Sequence, residues 1–190
     1  MSISGPDTVV VNCPVCSTAS DWNWNYIQYK RRVMSTIVAV SYRGERVMAA
    51  DTMVSAGDLT YPNVALRKIV VCDGGLVGIA GDAAAVTAAQ EFEFALDAVG
   101  ATFRDFRRVA KKADWTAIVL LPDAIYTVDP DGSILLHVGY ASVGSGAPYA
   151  LGSVSVQPVE AGASVRAQQA VWAAMQFDTC TGGEIITERL

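Results

Sequence analysis

The sequence has 190 residues, of which 52% are apolar and 17% are charged, and this composition is typical of one folded domain with a well-filled core. The net charge of −5 and the lack of an extended basic region argue against a nucleic-acid partner. The sequence contains neither a signal-peptide pattern nor an apolar run of the roughly 20 residues that span a bilayer. We therefore expect a soluble protein without a membrane partner, either cytoplasmic or carried in a larger particle such as a virion.

The first 34 residues differ in composition from the rest of the chain. Residues 8–12 predict a short strand, and Trp22, Trp24 and Tyr26 follow within a few positions of one another. Such a concentration of aromatic side chains indicates a segment that packs on its own domain or on a partner. We interpret residues 1–34 as an N-terminal extension, either a propeptide or a docking arm.

Cys13 and Cys16 have the spacing of half a zinc site. No second pair follows at zinc-finger spacing, so Cys72, Cys180, His137 or another subunit would have to complete the ligand set. A free thiol pair or a local disulfide is the simpler interpretation, and we predict no metal or cofactor. His137 is the only histidine, so we expect any catalytic base to be an amine or a carboxylate.

Residues 35–51 predict a β-hairpin that turns at Arg43-Gly44, because β-branched and apolar residues dominate both flanks. A two-residue turn sets the register of the pair. Counting outward from it puts Ser35 beside Thr52 and Thr36 beside Asp51. A hydroxyl and an acid would then share one end of the hairpin.

The remaining elements are predicted as alternating groups of strands and helices. Strands are predicted at 68–73, 76–80, 115–121, 124–128, 133–138, 141–143 and 184–188, and helices at 83–99, 102–112, 149–156 and 162–176. Strand groups interrupted by helix pairs predict an α+β fold in which two sheets pack face to face and helices cover both outer sides. This four-layer αββα sandwich would occupy residues 35–190.

Polar groups that the strand pattern does not require occur at Ser35, Asp51, Lys68 and Ser145. A hydroxyl nucleophile needs a base, a group that tunes the base's pKa and a donor for the oxyanion. Ser35, Asp51 and Lys68 could supply the first two functions, and a backbone N–H near Gly78 could supply the third.

These residues carry a resemblance to a known family. Ser-Thr-Ile-Val-Ala-Val and Val-Met-Ala-Ala-Asp resemble the opening of proteasome β-subunits and of bacterial HslV-type peptidases, which are N-terminal nucleophile hydrolases with an αββα fold. The resemblance extends from Ser35 to about Glu188. The further matches are Lys68-Ile69, the segment 77–82, Gly144-Ser145-Gly146-Ala147-Pro148-Tyr149-Ala150, Asp178 and Ser55.

The resemblance implies roles for these positions. Ser35 is the nucleophile, with Thr36 as the alternative one residue later, and its free α-amine is the general base. Asp51 holds Lys68, and Ser145 and Asp178 support the site. The remaining matched residues are assigned to substrate binding, with a glycine N–H as the oxyanion donor: Ser55, Gly78 and Ala80.

Two hypotheses follow for the function. In the first, the chain is a serine/threonine-type peptidase that is cleaved before Ser35, acts on polypeptides and forms a ring-like homo-oligomer, with an ATPase unfoldase as a possible partner. In the second, the fold is a non-catalytic subunit of a larger assembly, for example a phage virion, and residues 1–34 dock onto neighbouring subunits.

Overall fold

The computed structural model describes residues 35–56, 59–61, 66–158 and 160–190. The predictions about residues 1–34, including the Cys13/Cys16 pair and the aromatic cluster, lie outside the described residues. In chain order, the elements are β1 (Ile37–Tyr42), β2 (Glu45–Asp51), β3 (Ser55–Ala56), β4 (Leu59–Thr60), β5 (Ile69–Cys72), β6 (Gly75–Gly81), α1 (Ala83–Glu91), a 3₁₀ turn (Leu96–Ala98), α2 (Val99–Ala110), β7 (Trp115–Leu120), β8 (Ile125–Val128), β9 (Ile134–His137), β10 (Tyr140–Val143), α3 (Ala147–Val156), α4 (Ala163–Phe177) and β11 (Ile185–Arg189).

Two antiparallel sheets form the centre of the fold, as the sequence predicts. The four-stranded sheet has the order β10-β1-β2-β11, and the five-stranded sheet has the order β5-β6-β7-β8-β9. Strand alternation explains the layering, because successive side chains of β1 point to opposite faces. Ile37 and Ala39 pack between the two sheets, whereas Val38 and Val40 pack against α3 and α4.

Helices cover the outer face of each sheet and complete the four layers. The contacts of α1 and α2 with the five-stranded sheet bury an aromatic cluster in which Phe106 and Trp115 have ring centroids 5.2 Å apart. None of the helices in the described ranges is long and apolar enough to cross a membrane.

The helix predicted at residues 83–99 is shorter in the structure. It ends at Glu91, and the chain is extended at Phe92, with φ −90° and ψ 132°. The physical reason is aromatic packing. The ring centroids of Phe92 and Phe94 lie 4.8 Å apart, and both rings contact the ring of Phe106. Gly100, expected to end a helix, lies instead in the first turn of α2.

Candidate active site

Ser35 and Thr36 precede β1, and their side chains lie in different surroundings. Both are buried, with 3% and 0% of their surface exposed. Ser35 lines a cavity of about 20 Å³ together with Lys68, whereas the Thr36 Oγ1 atom lies 2.6 Å from the Thr181 Oγ1 atom. The structure therefore puts Ser35, and not Thr36, on the cavity that Lys68 lines.

Asp51 is the centre of a buried hydrogen-bond network at the end of β2. Its Oδ1 atom accepts hydrogen bonds from Lys68 Nζ at 2.9 Å and from the Thr36 backbone N–H at 2.8 Å. Its Oδ2 atom accepts from the backbone N–H groups of Met53 and Gly182, each at 3.2 Å. Lys68 also donates to the Met53 carbonyl at 3.0 Å. Such complete pairing offsets the cost of burying a carboxylate.

Burial and the Asp51 charge act in opposite directions on Lys68. The side chains of the pair are 2% and 0% exposed. Burial lowers the pKa of Lys68 below its ordinary value, and the charge and hydrogen bond of Asp51 offset part of that shift. A lysine held in this way supplies a fixed positive charge next to the Ser35 cavity, where little water screens it.

A second hydrogen-bond network approaches Ser35 from the end of α4. The Asp178 Oδ2 atom accepts hydrogen bonds from Ser145 Oγ and from Thr181 Oγ1, each at 2.6 Å. Ser145 Oγ also lies 3.5 Å from the Ser35 carbonyl oxygen, and the Gly146 N–H donates to the same oxygen at 3.4 Å. The sequence predicts Ser145 and Asp178 as site residues but not Thr181. The feature of the sequence that could have indicated Thr181 is its hydroxyl group three positions after Asp178.

Glycines let the strand-to-helix loop approach the start of β1. A Cβ atom at Gly144 would collide with the Ser35 carbonyl oxygen, and the φ of Gly144 is 99°. A Cβ atom at Gly146 would collide with Thr36 Oγ1. Both positions therefore require glycine, and the match of 144–150 to the family motif has a steric cause.

The structure does not bring Gly78 to this site. Gly78 lies between the two sheets, where an added Cβ atom would meet Ile37, Met48 and Ile118. Gly81, three positions later at the end of β6, lines the cavity with Ser35 and has a φ of 145°.

The other two predicted substrate-binding residues lie apart from the Ser35 cavity or lack a described side chain. Ala80 is fully buried in the apolar cluster between the sheets. Ser55 begins β3 and pairs with Thr60, and only its backbone is described.

Two cavities flank the site. The small one at Ser35 has a wall of mainly apolar side chains that includes Val54, Leu66 and Val86. A wider cavity of about 620 Å³ opens beside Ser145 and Asp178.

His137 lies outside the two hydrogen-bond networks described above. The His137 Nε2 atom lies 2.8 Å from Thr127 Oγ1 in the β8–β9 pair. In the described ranges, no three His, Cys, Asp or Glu side chains are grouped to hold a metal ion, and Cys72 and Cys180 are free thiols.

Comparisons with known proteins agree with this geometry. No protein-family model matches the sequence. The ATP-dependent protease subunits ClpQ of Bacillus pumilus (strain SAFR-032) and Bacillus subtilis (strain 168) are each 28% identical over 165 residues, which is 80% of this chain and 89% of the relative.

Solved structures show the same fold at lower identity. Thiobacillus denitrificans BPH, solved alone and in complex with epoxomicin, superposes with a TM-score of 0.71 at 20% identity, over 82% of this chain and 97% of BPH. Eukaryotic HslV from Trypanosoma brucei superposes with a TM-score of 0.67 at 19% identity, over 82% and 98% of the two chains. These similarities in sequence and in fold support the assignment of the chain to the N-terminal nucleophile hydrolases of the proteasome β-subunit and HslV type.

Proposed function

We propose that this chain is an HslV-like N-terminal nucleophile peptidase in which Ser35 attacks peptide carbonyls after residues 1–34 have been removed. The observation that carries the proposal is the position of Ser35 on the same cavity as Lys68, which is held in turn by Asp51. The protease relatives named ClpQ favour this function over a non-catalytic subunit of an assembly.

The proposed reaction begins with the free α-amine of Ser35. The amine takes the proton from the Ser35 hydroxyl, and Oγ attacks the substrate carbonyl. The Lys68 charge favours both the neutral amine and the developing alkoxide. Gly81, at the edge of the cavity, is our candidate for the backbone N–H that receives the oxyanion.

Collapse of the tetrahedral intermediate breaks the C–N bond. The leaving amine takes the proton that the α-amine holds, and an ester on Ser35 Oγ remains. The α-amine then removes a proton from water, whose oxygen attacks the ester carbonyl. Release of the acid returns the proton to Ser35, so that the enzyme is regenerated.

The substrate class that fits is a polypeptide in extended conformation with a small apolar side chain before the cleaved bond. The small volume of about 20 Å³ at Ser35 disfavours aromatic side chains there. The wider cavity beside Ser145 gives the chain beyond the cleaved bond room to leave.

The outer face of α3 and α4 supports a homo-oligomer. Helix α3 has no charged residue, and the only charged residue of α4, Arg166, is buried. Tyr149, Trp172 and Phe177 are 44%, 58% and 69% exposed on these helices. An uncharged face with exposed aromatic side chains is typical of a protein–protein interface. A ring-like assembly in the cytoplasm, with an ATPase that delivers substrate, completes the proposal.

Intact-mass measurement tests the maturation step. The full chain is expected to yield a species that begins at Ser35, and a peptide with an electrophilic carboxyl end is expected to label it once. Ser35→Ala should abolish both the cleavage and the label. Ser155→Ala, at an exposed serine in α3 whose hydroxyl bonds only to its own helix, should leave both unchanged. A purified chain that stays uncleaved and unlabelled would refute the proposed peptidase.

A further inference from the structure

The first two residues of the proposed mature chain lie outside the sheet. The ladder between β1 and its neighbours begins at Ile37, which pairs with Ala50 on one side and Val143 on the other. Chain ends that no ladder holds tend to fray. A nucleophile at such an end needs other contacts to remain within reach of its base and its substrate.

Thr36 provides contacts of this kind. Its backbone N–H and carbonyl form a pair of hydrogen bonds with Asp51, one to the carboxylate at 2.8 Å and one from the backbone N–H at 3.2 Å. Its hydroxyl lies 2.6 Å from the Thr181 hydroxyl. The side chain is completely buried, so water cannot replace a lost partner without rearrangement.

The donors in this chain of hydroxyl groups follow from simple counting. A threonine hydroxyl has one hydrogen to donate. Thr181 uses its hydrogen on the Asp178 carboxylate, so Thr36 is the donor to Thr181. The relay therefore ends at a charge, and hydrogen bonds that end at a carboxylate are shorter and stronger than neutral ones.

We propose that Thr36 is a positioning residue, whose hydroxyl relay through Thr181 to Asp178 holds Ser35 in place on the Lys68 cavity. The inference rests on the proposed peptidase function for its effect on turnover. Thr36 does not contact the reacting atoms. It acts through the backbone it shares with Ser35, because rotation at residue 36 would swing the preceding hydroxyl away from the lysine.

Two substitutions at Thr36 separate the effect of its hydroxyl group from the effect of its side-chain volume. Thr36→Val keeps the branched shape and removes the relay, whereas Thr36→Ser keeps the hydroxyl and removes a methyl group. Thr102→Val is the matched control, because Thr102 is also buried and its hydroxyl accepts a hydrogen bond from the Ala95 N–H in a different part of the fold.

Two measurements on the full chain and its processed product test the relay. We expect Thr36→Val to lower kcat roughly ten- to hundredfold with KM changed less than about threefold, as for an interaction that aligns reacting groups. Thr36→Ser and Thr102→Val should stay within about threefold of the wild type. The amide of residue 36 should exchange with solvent about tenfold faster in Thr36→Val only, corresponding to the loss of one ordinary hydrogen bond.

A double substitution tests whether Thr36 acts through Thr181. If both belong to one relay, Thr36→Val with Thr181→Val should be no slower than the slower single variant. Multiplicative losses, an unchanged Thr36→Val, or an equal loss in Thr36→Ser would each overturn the relay. If the wild type fails to label at Ser35, the peptidase proposal fails, and the amide exchange still decides whether Thr36 anchors the chain.

Discussion

The buried pair of Asp51 and Lys68 gives the sharpest test of how this site is held together. Asp51→Asn keeps the shape of the side chain and removes its charge, so Lys68 loses its counter-ion in a position that is only 2% exposed. Removing one partner of a buried ion pair costs about 3–5 kcal/mol, because the other charge remains in surroundings that solvate it poorly. For a domain of this size, that loss lowers Tm by roughly 6–20 °C.

The matched control is Asp105→Asn, which makes the same chemical change in an exposed pair. Asp105 bonds to Arg108 at 2.7 Å, and the two side chains are 59% and 75% exposed. An exposed pair contributes about 0–1 kcal/mol. The free energy of unfolding, measured in urea for both variants, checks the comparison.

A second substitution separates the lost charge from the lost shape. Asp51→Asn combined with Lys68→Met removes both charges and should recover at least about 1 kcal/mol of the loss. The reasoning is refuted if Asp51→Asn costs less than about 1 kcal/mol, or no more than Asp105→Asn.

Three further predictions follow from the glycines, the buried lysine and a buried thiol. Gly146→Ala should destabilise the fold by about 1–3 kcal/mol through its collision with Thr36, whereas Gly152→Ala, in open space within α3, should stabilise it by about 0.5–1 kcal/mol; urea unfolding of the two variants distinguishes them. Because burial lowers the pKa of folded Lys68 below its ordinary value of 10.5, the folded state releases this proton first as the pH rises, so the unfolding free energy of the wild type relative to Lys68→Met should increase with pH up to about 10.5 and then level off. If the difference in unfolding free energy between the two proteins does not change with pH, the predicted lowering of the Lys68 pKa is contradicted. Burial raises the pKa of Cys72 from 9.0 to about 11, so its alkylation at pH 8, followed by mass spectrometry, should be roughly a hundredfold slower in the folded than in the unfolded chain.

Local patterns were sufficient to predict the hairpin that carries the site. A two-residue turn at Arg43-Gly44 pairs Tyr42 with Glu45, and the structure confirms that pair. Arg43 and Gly44 both have positive φ, at 51° and 82°, as a tight hairpin turn requires. Because the register follows from the turn, the position of Asp51 next to Thr36 could also be predicted.

The glycine that we propose as the oxyanion donor, Gly81, was less accessible to sequence reasoning. Gly78 and Gly81 both lie in β6, and the spacing of the family motif alone did not separate them. The two glycines are distinguished only by packing against the opposite sheet, because Ile37 and Met48 fill the space at Gly78. Such packing is a tertiary property that the sequence near Gly78 does not encode.

Thr181 illustrates a second limit of the same kind. It is 145 positions from Thr36, and its spacing of three positions from Asp178 is a weak signal, because Thr179 also follows this acid closely. Its hydroxyl reaches the start of β1 because the chain leaving α4 folds back beside Asp51, where the Gly182 N–H bonds to the carboxylate. The sequence identifies the charged members of the site more readily than the neutral ones.

The backbone at Ser35 has a consequence for the direction of the proposed maturation. Its φ of 128° lies in a region that costs a non-glycine residue on the order of 1–3 kcal/mol. This torsion exists only while the carbonyl carbon of Met34 is attached, so breaking that bond removes the strain. The equilibrium constant for hydrolysis of this one bond is then about 5- to 150-fold larger than for an unstrained peptide. A chain once opened before Ser35 would have no tendency to close again.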